Sequence, residues 1–245
     1  MPPPTCWVHA DFCHLVQRLT QAVTYLAYAA AMKLKFYMTP GSCSTGIHIL
    51  LEELALPFEV TIVNLPGGDH LKPEYVALNP KGTIPTLVLD DGQALTEFQA
   101  IAYWLARAYP RRRLLPDNPL LAMRALELMA YVVGTVHGQG YTRVFTTDRY
   151  LPAGLADLDR AAWQASVQAR GREVVTKAFA VMEAGLPDAG YAVGADFSIA
   201  DAALFYVEFW ADKTVLPLPP RCAAHYQLVR ARPVVQRVLR EEGYR

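Results

Sequence analysis

The sequence is poor in cysteine and carries no net charge. Its four cysteines, Cys6, Cys13, Cys43 and Cys222, are scattered over 245 residues. No Cys-x-x-Cys occurs and the gaps fit no zinc-ligand spacing, so neither a dithiol redox motif nor a bound metal is expected. So few cysteines in so long a chain do not form a disulfide framework; reduced thiols in a reducing, cytoplasmic compartment are expected. The 23 Lys and Arg balance 23 Asp and Glu. That removes the basic footprint of a nucleic-acid partner, and Arg111-Arg112-Arg113 reads as a solvated helix end. No uncharged apolar run reaches the ~18 residues of a membrane-spanning helix, so no membrane partner is expected. There is no internal repeat and no low-complexity tract. Gly138-Gln139-Gly140 follows a helical pattern, not a strand, and is not a phosphate loop.

What is present is enough apolar material to build real cores: 53% of residues are hydrophobic and 19% charged. The length suits one large domain or two modest ones. Residues 1–31 form an extension of uncertain status. Phe12, Leu15, Val16, Leu19, Val23 and Leu26 share one helical face, while Arg18 alone supplies positive charge. Three readings stand, in order of preference: a start-site artefact, a helix docked on the body, and a weak export signal.

The most informative stretch is Lys33 to His48. An apolar run, Leu34–Met38, stops at Pro40-Gly41, Cys43 follows, and Ile47, Leu50, Leu51 and Leu54 recur at helical spacing. This predicts strand, tight turn and helix, with Cys43 in the turn or the first helical residues. Unpaired amides at a helix N-terminus favour an anion, and a thiolate there has a lowered pKa. Ser42 and Ser44 add hydroxyl donors. A reactive thiol is favoured over a cysteine that merely fills a core.

The spacing then predicts a helix over 45–56, a strand over 58–63 and a right-handed crossover between parallel strands. Two short runs around Asp91-Gly92 predict a hairpin, and Pro85 stands at its start, where a cis bond and an edge or strand-start position suit it. A cis Pro85 would turn the N–H and C=O of Ile84 outward, toward an extended peptide ligand. Thr96 is read as the cap of a helix over 98–109, with Ile101, Tyr103, Trp104, Leu105 and Ala108 in the core; Glu97 alone reads as a dipole-favoured first-turn acid. The expected division is 32–112 for a first domain, 113–119 for a linker and 120–245 for an all-helical domain. In the latter, helices are predicted over 120–137 and 157–184, with a buried stripe from Ala161 and Val167 to Met182. Ser198 and Asp201 form a capping box, and shorter helices follow over 222–230 and 234–242.

These motifs together resemble the glutathione transferase family, and its bacterial beta class in particular. The residues that carry the resemblance are Pro40-Gly-Ser-Cys43-Ser with His48, Asn79-Pro-Lys-Gly-Thr-Ile-Pro85-Thr-Leu, Leu95-Thr-Glu97, Ser198-Ile-Ala-Asp201 and Arg232-Pro233, over about residues 33–242. The resemblance implies a thioredoxin-like N-terminal domain followed by an all-helical domain, a homodimer, and glutathione as co-substrate of a detoxifying transferase. It implies that Cys43 resembles a cysteine able to form a mixed disulfide with glutathione. Ile84 and Pro85 are similar to the segment that pairs with its cysteinyl part, Glu97 and the Phe98 amide to the γ-glutamyl site, and His137 to a histidine reaching that site. Ser42 and Ser44 belong to the same turn. Tyr141 and Trp210 are candidates for an apolar co-substrate pocket or for simple core packing.

Phe98 departs from the family pattern, which has a small hydroxyl-bearing residue or glycine there, and its ring is expected to crowd the glutathione site. Tyr37 faces away from Cys43 by strand alternation. Two chemistries follow: attack of a glutathione thiolate on an apolar electrophile, or thiol–disulfide exchange through Cys43. The alternative is a non-catalytic binding protein with the same fold, motivated by Phe98. A thioredoxin-like oxidoreductase without glutathione lacks its resolving cysteine.

Overall fold

The computed structural model describes residues 33–244; the readings of residues 1–31 lie outside the described residues. Strand β1 is Leu34–Met38, with Leu34, Phe36 and Met38 on its buried face. Helix α1, Ser44–Glu53, follows at once. It ends short of the expected residue 56 because Ala55 turns left-handed, φ +52°, a common way to stop a helix. Strand β2 is Phe58–Ile62, and β1 and β2 pair in parallel with Phe36 opposite Val60. After helix α2, Pro73–Leu78, the hairpin of β3, Thr86–Val88, and β4, Ala94–Thr96, completes the sheet. The strand order is β2-β1-β3-β4, with β3 antiparallel to β1. Pro85 therefore precedes an inner strand, not an edge one; as strand start it needs no ladder donor. The Ile84–Pro85 bond is cis.

Helix α3 is Phe98–Ala108. Its buried stripe is Phe98, Ile101, Ala102, Leu105 and Ala106, the i, i+3, i+4, i+7 pattern. Tyr103 falls across the helix from that stripe and is exposed, contrary to expectation.

The remainder is helical. Asn118 caps helix α4, Pro119–Tyr131, its Oδ1 accepting from the Leu120 and Leu121 amides. The helix widens into a π-helical stretch, Val132–Tyr141, and closes with α5, Thr142–Phe145. From Pro119 to Phe145 it is long and apolar enough to cross a membrane by length and composition alone, which the sequence reading did not expect. Here Ala125, Met129, Val132, Val136 and Tyr141 are packed into the core. Helix α6, Asp157–Gly185, buries Val175, Ala178, Phe179 and Met182. Its first turns overhang the bundle, so Ala161 is exposed and Val167 only half-buried.

Helix α7, Ile199–Lys213, is central: every residue from Ile199 to Ala211 is buried. It packs against α1, α4 and helix α8, Pro220–Arg230. The expected capping box is present, with the Asp201 carboxylate accepting from the Ser198 amide at 2.7 Å. Helix α9, Pro233–Glu241, closes the chain and packs on α1. One continuous core runs from the sheet through α1 and α3 into α7.

Candidate active site

Cys43 is the residue at which β1's turn becomes α1; it occupies the N-cap, and its own side chain makes no capping hydrogen bond. The turn is self-contained. The Ser42 and Ser44 hydroxyls both donate to the Thr39 carbonyl, at 2.6 and 3.0 Å, and the Ser44 amide donates to Ser42 Oγ at 3.1 Å. Ser44 is fully buried. Its hydroxyl is occupied in closing the turn, so it is not the ligand-facing donor expected from sequence. Ser42 remains half-exposed.

Three residues hold this turn from outside. Trp210 Nε1 of α7 donates to the Gly41 carbonyl at 2.7 Å. The Glu242 carboxylate accepts from the Gly41 amide at 2.8 Å and from Thr45 Oγ1 at 2.6 Å. Tyr244 packs directly over Gly41, whose φ of +72° and missing Cβ leave room for its ring.

The sulfur lies against the cis-proline loop, Cys43 Sγ being 3.7 Å from the Ile84 carbonyl. Two opposed effects act on it. Burial raises its pKa, and so does the nearby Glu97 carboxylate; the Cys43 and Ser44 amides lower it. Burial prevails, and the thiol is pushed up to about 12. The expected lowered pKa of Cys43 is thus overturned: the amides are in place, but a sulfur only 6% exposed loses more by desolvation than they return.

The loop carrying Ile84 and Pro85 is pinned from below. Asn79 Nδ2 donates to the Thr83 carbonyl at 2.7 Å, and the Tyr75 hydroxyl donates to the same oxygen at 2.6 Å. Ile84 is half-buried, and among the described residues its amide has no hydrogen-bond partner. Next to the loop stands the start of α3. Glu97 occupies its N-cap at φ +71°, ψ 128°, a region non-glycine residues avoid, and makes no side-chain cap. Its carboxylate reaches Lys81 at 2.8 Å instead. Thr96, expected to cap, lies one residue too early and accepts from Lys81.

Phe98 does not crowd this groove. Its ring points inward, 5.2 Å from Tyr206 and flush against Gly46 of α1, where a Cβ would come within 2.7 Å of the ring. The sequence reading placed the side chain on the wrong side of the helix start. Tyr37 packs on Tyr75, 5.9 Å between rings, on the face opposite Met38, as alternation predicted.

Behind the sulfur lies an aromatic cluster. His137 stands 4.9 Å from the Trp210 ring and its Nδ1 is 3.4 Å from the Tyr206 hydroxyl. The residue is half-buried, its surroundings are apolar, and desolvation lowers its pKa to about 4. Tyr141 is fully buried, with its hydroxyl donating to the Val207 carbonyl at 3.1 Å. Trp210 is 6% exposed and committed to Gly41. Of the two readings given for them, co-substrate pocket or core packing, both side chains take the second. The accessible aromatic is Phe145, stacked on Tyr141 at 5.4 Å.

Sequence reasoning missed Lys81, Tyr206 and Glu242. Lys81 sat inside a quoted motif but lacked any sign that it would meet Glu97. Tyr206 and Glu242 reach the site through packing of distant helices, which leaves no local signature.

The same segments carry the likeness to known proteins. The family model for the glutathione S-transferase N-terminal domain matches residues 41–108, and that for the C-terminal domain residues 164–228. A protein named glutathione S-transferase GstA from Escherichia coli O157:H7 is 34% identical over 221 residues, covering 86% of this chain and 99% of that protein. A glutathione transferase homologue from Sulfitobacter, solved with bound glutathione, superposes with a TM-score of 0.76 at 28% identity, covering 87% of this chain and 99% of the other. A bacterial beta class glutathione S-transferase from Sphingomonas chungbukensis gives 0.70 at 26% identity, over 85% of this chain and 98% of its own. With both domains matched, and a relative of this identity covered almost end to end, the chain belongs to the glutathione S-transferase family.

Proposed function

We propose that this chain is a glutathione transferase that binds glutathione along the cis-proline loop and activates its thiol to attack a small apolar electrophile. The free Ile84 amide offers a main-chain partner to the cysteinyl part. The uncapped start of α3, at Glu97 and Phe98, offers amides to the γ-glutamyl carboxylate. Lys81 adds a cation and Glu97 an acceptor for the α-amino group. The amides at the head of α1, that of Cys43 above all, then face the glutathione sulfur.

In the reaction the glutathione thiol loses its proton to solvent. The thiolate forms a new S–C bond, and the displaced group leaves with the electron pair. Binding supplies orientation, and the amides supply stabilisation of the anion. The electrophile is proposed to lie against Phe145 and beside half-buried His137.

The observation that carries conjugation over exchange is the Cys43 thiol itself, held protonated by burial with its pKa near 12. A nucleophilic cysteine is a thiolate in an electropositive, partly exposed setting. The binding-protein alternative rested on Phe98 blocking the groove; with that ring in the core, nothing favours it. A homodimer in a reducing cytoplasm belongs to the same proposal.

Cys43→Ala tests the reading. Conjugation of a chlorodinitrobenzene-type electrophile is expected to persist within about threefold, a change of about 0.6 kcal/mol in the barrier, while exchange with a glutathionylated disulfide stays at background. Loss of conjugation by a hundredfold or more in a folded variant would assign the chemistry to Cys43 and overturn the proposal.

A further inference from the structure

We propose that Tyr206 is a positioning residue that fixes His137 as the tautomer with its proton on Nε2, and that this N–H donates to oxygen charge developing on the electrophile. The inference rests on the transferase reading above. It narrows the substrate class to electrophiles that take the incoming charge onto oxygen, such as nitroaryl halides and α,β-unsaturated carbonyls.

Few polar groups share the aromatic cluster behind Cys43, and most are committed elsewhere. Tyr141 donates its hydroxyl to the Val207 carbonyl at 3.1 Å. Trp210 donates its N–H to the Gly41 carbonyl at 2.7 Å. The Tyr206 hydroxyl and His137 are left for each other, with 3.4 Å between the hydroxyl oxygen and Nδ1. Tyr206 is wholly buried, and among the described residues its hydroxyl has no other hydrogen-bond partner. A buried O–H without an acceptor is costly, and a neutral imidazole has one donor and one acceptor nitrogen. The phenol stays protonated, because burial and then the nearby Cys43 raise its pKa. The imidazole stays neutral in its apolar surroundings. Nδ1 therefore accepts from Tyr206, and the ring proton sits on Nε2.

Packing holds the pair in place. Tyr206 projects from α7 with its ring 5.2 Å from Phe98 and 5.0 Å from Trp210. His137 stands in the π-helical stretch, edge-on to Trp210. Its Nε2 has no hydrogen-bond partner among the described residues, yet it is not sealed from solvent. The ring's one lone pair is occupied by Tyr206, so His137 is no base for the glutathione thiol. What Nε2–H can meet is an oxygen.

When a thiolate attacks the halide-bearing carbon of a nitroaryl halide, the S–C bond forms and a ring π pair moves onto the nitro oxygens. That pair returns as the halide leaves with its own bonding pair. With an α,β-unsaturated carbonyl, the thiolate bonds the β-carbon and the π electrons end on the carbonyl oxygen; solvent then protonates the α-carbon. In both, the oxygen is more negative in the transition state than in the substrate, the condition under which a fixed donor speeds a reaction. Alkyl halides place no charge on oxygen and draw no help from it.

The test uses the full chain, isotope-labelled at its histidine nitrogens, with His137 assigned by its loss in His137→Phe. Nuclear magnetic resonance is expected to show a protonated Nε2 and a bare, hydrogen-bonded Nδ1. Tyr206→Phe, which keeps the ring and removes the hydroxyl, is expected to move Nδ1 to the position of an unbonded nitrogen. The ratio of kcat/KM for chlorodinitrobenzene to that for iodomethane is expected to fall at least about tenfold in His137→Phe and about threefold in Tyr206→Phe. A protonated Nδ1 in the wild type, or an Nδ1 unmoved by Tyr206→Phe, would overturn the proposal. So would an unchanged ratio in His137→Phe, which would assign that residue to the shared thiolate or to packing. A wild type that conjugates neither probe would overturn the transferase reading, and the donor role with it.

Discussion

Cys43 illustrates how an address and an environment separate. Its place at the head of α1 was legible from Pro40-Gly41 and the apolar spacing that follows. Its burial was not, because its neighbours come from distant parts of the chain, Ile84 of the cis-proline loop and Tyr206 of α7. With the thiol near 12, against 9.0 for an unperturbed group, native Cys43 carries about a thousandfold less thiolate at pH 8 than the unfolded chain. In a background lacking Cys6 and Cys13, iodoacetamide labelling of Cys43 is expected to be slower by that order in the native protein; equal rates would contradict the burial argument. Phe98 makes a parallel case. Its identity was read as a hindrance to glutathione because the residue number, not the side-chain direction, is what a sequence provides. Since the ring fills the gap over Gly46, Phe98→Ser is expected to cost about 3–5 kcal/mol of stability in urea unfolding and not to tighten glutathione binding by calorimetry.

At the scale of elements, strand β1, the hairpin, α3 and the capping box of α7 were readable within a residue or two. Each is set by local signals: alternation, turn residues, a serine cap. The π-helical stretch from Val132 to Tyr141 was not, since nothing in Gly134, Gly138 or Gly140 announces i→i+5 bonding. Nor was the polar centre between α7 and α8. There His225 bonds Asp201 at 3.0 Å and Glu208 at 2.8 Å, all three buried. Burial alone would lower the His225 pKa, but the Glu208 and Asp201 carboxylates hold it up to about 10. Burial raises Glu208 to about 7, with His225 opposing. Both groups bind protons more tightly folded than unfolded, so both contributions are full at low pH and fall as pH rises. Glu208 loses its share from about 4.5 to about 7, and His225 its share from about 6.5 to about 10. The urea midpoint is therefore expected to fall between pH 6.5 and 10, and His225→Gln to flatten that fall. His225→Ala strands two buried carboxylates and is expected to cost about 3–5 kcal/mol; a loss below about 1 kcal/mol would show the cluster to be incidental.

For the whole molecule, the two-part architecture was legible because the strand-bearing and helix-only halves differ in period. The packing between them was not, because α1, α7 and α9 meet through residues that look alike from sequence whether they line a groove or a core. Tyr141 and Trp210 are the examples. Leu120, Leu121 and Met123 at the start of α4 are exposed, and the proposed homodimer is expected to cover them. Sedimentation is expected to give twice the 27.2 kDa chain mass. Leu120→Glu with Met123→Glu is expected to give folded monomers; a wild-type monomer would remove the dimer from the account.

Conjugation by this protein depends on the amides at the head of α1 stabilising a sulfur anion that glutathione supplies. Ultraviolet titration of glutathione bound to the Cys43→Ala chain, where that turn holds no thiol of its own, measures this directly. The bound thiol is expected to ionise at least one pH unit below the thiol of free glutathione in the same buffer. Ionisation at or above the free thiol's pKa in the bound state would contradict it.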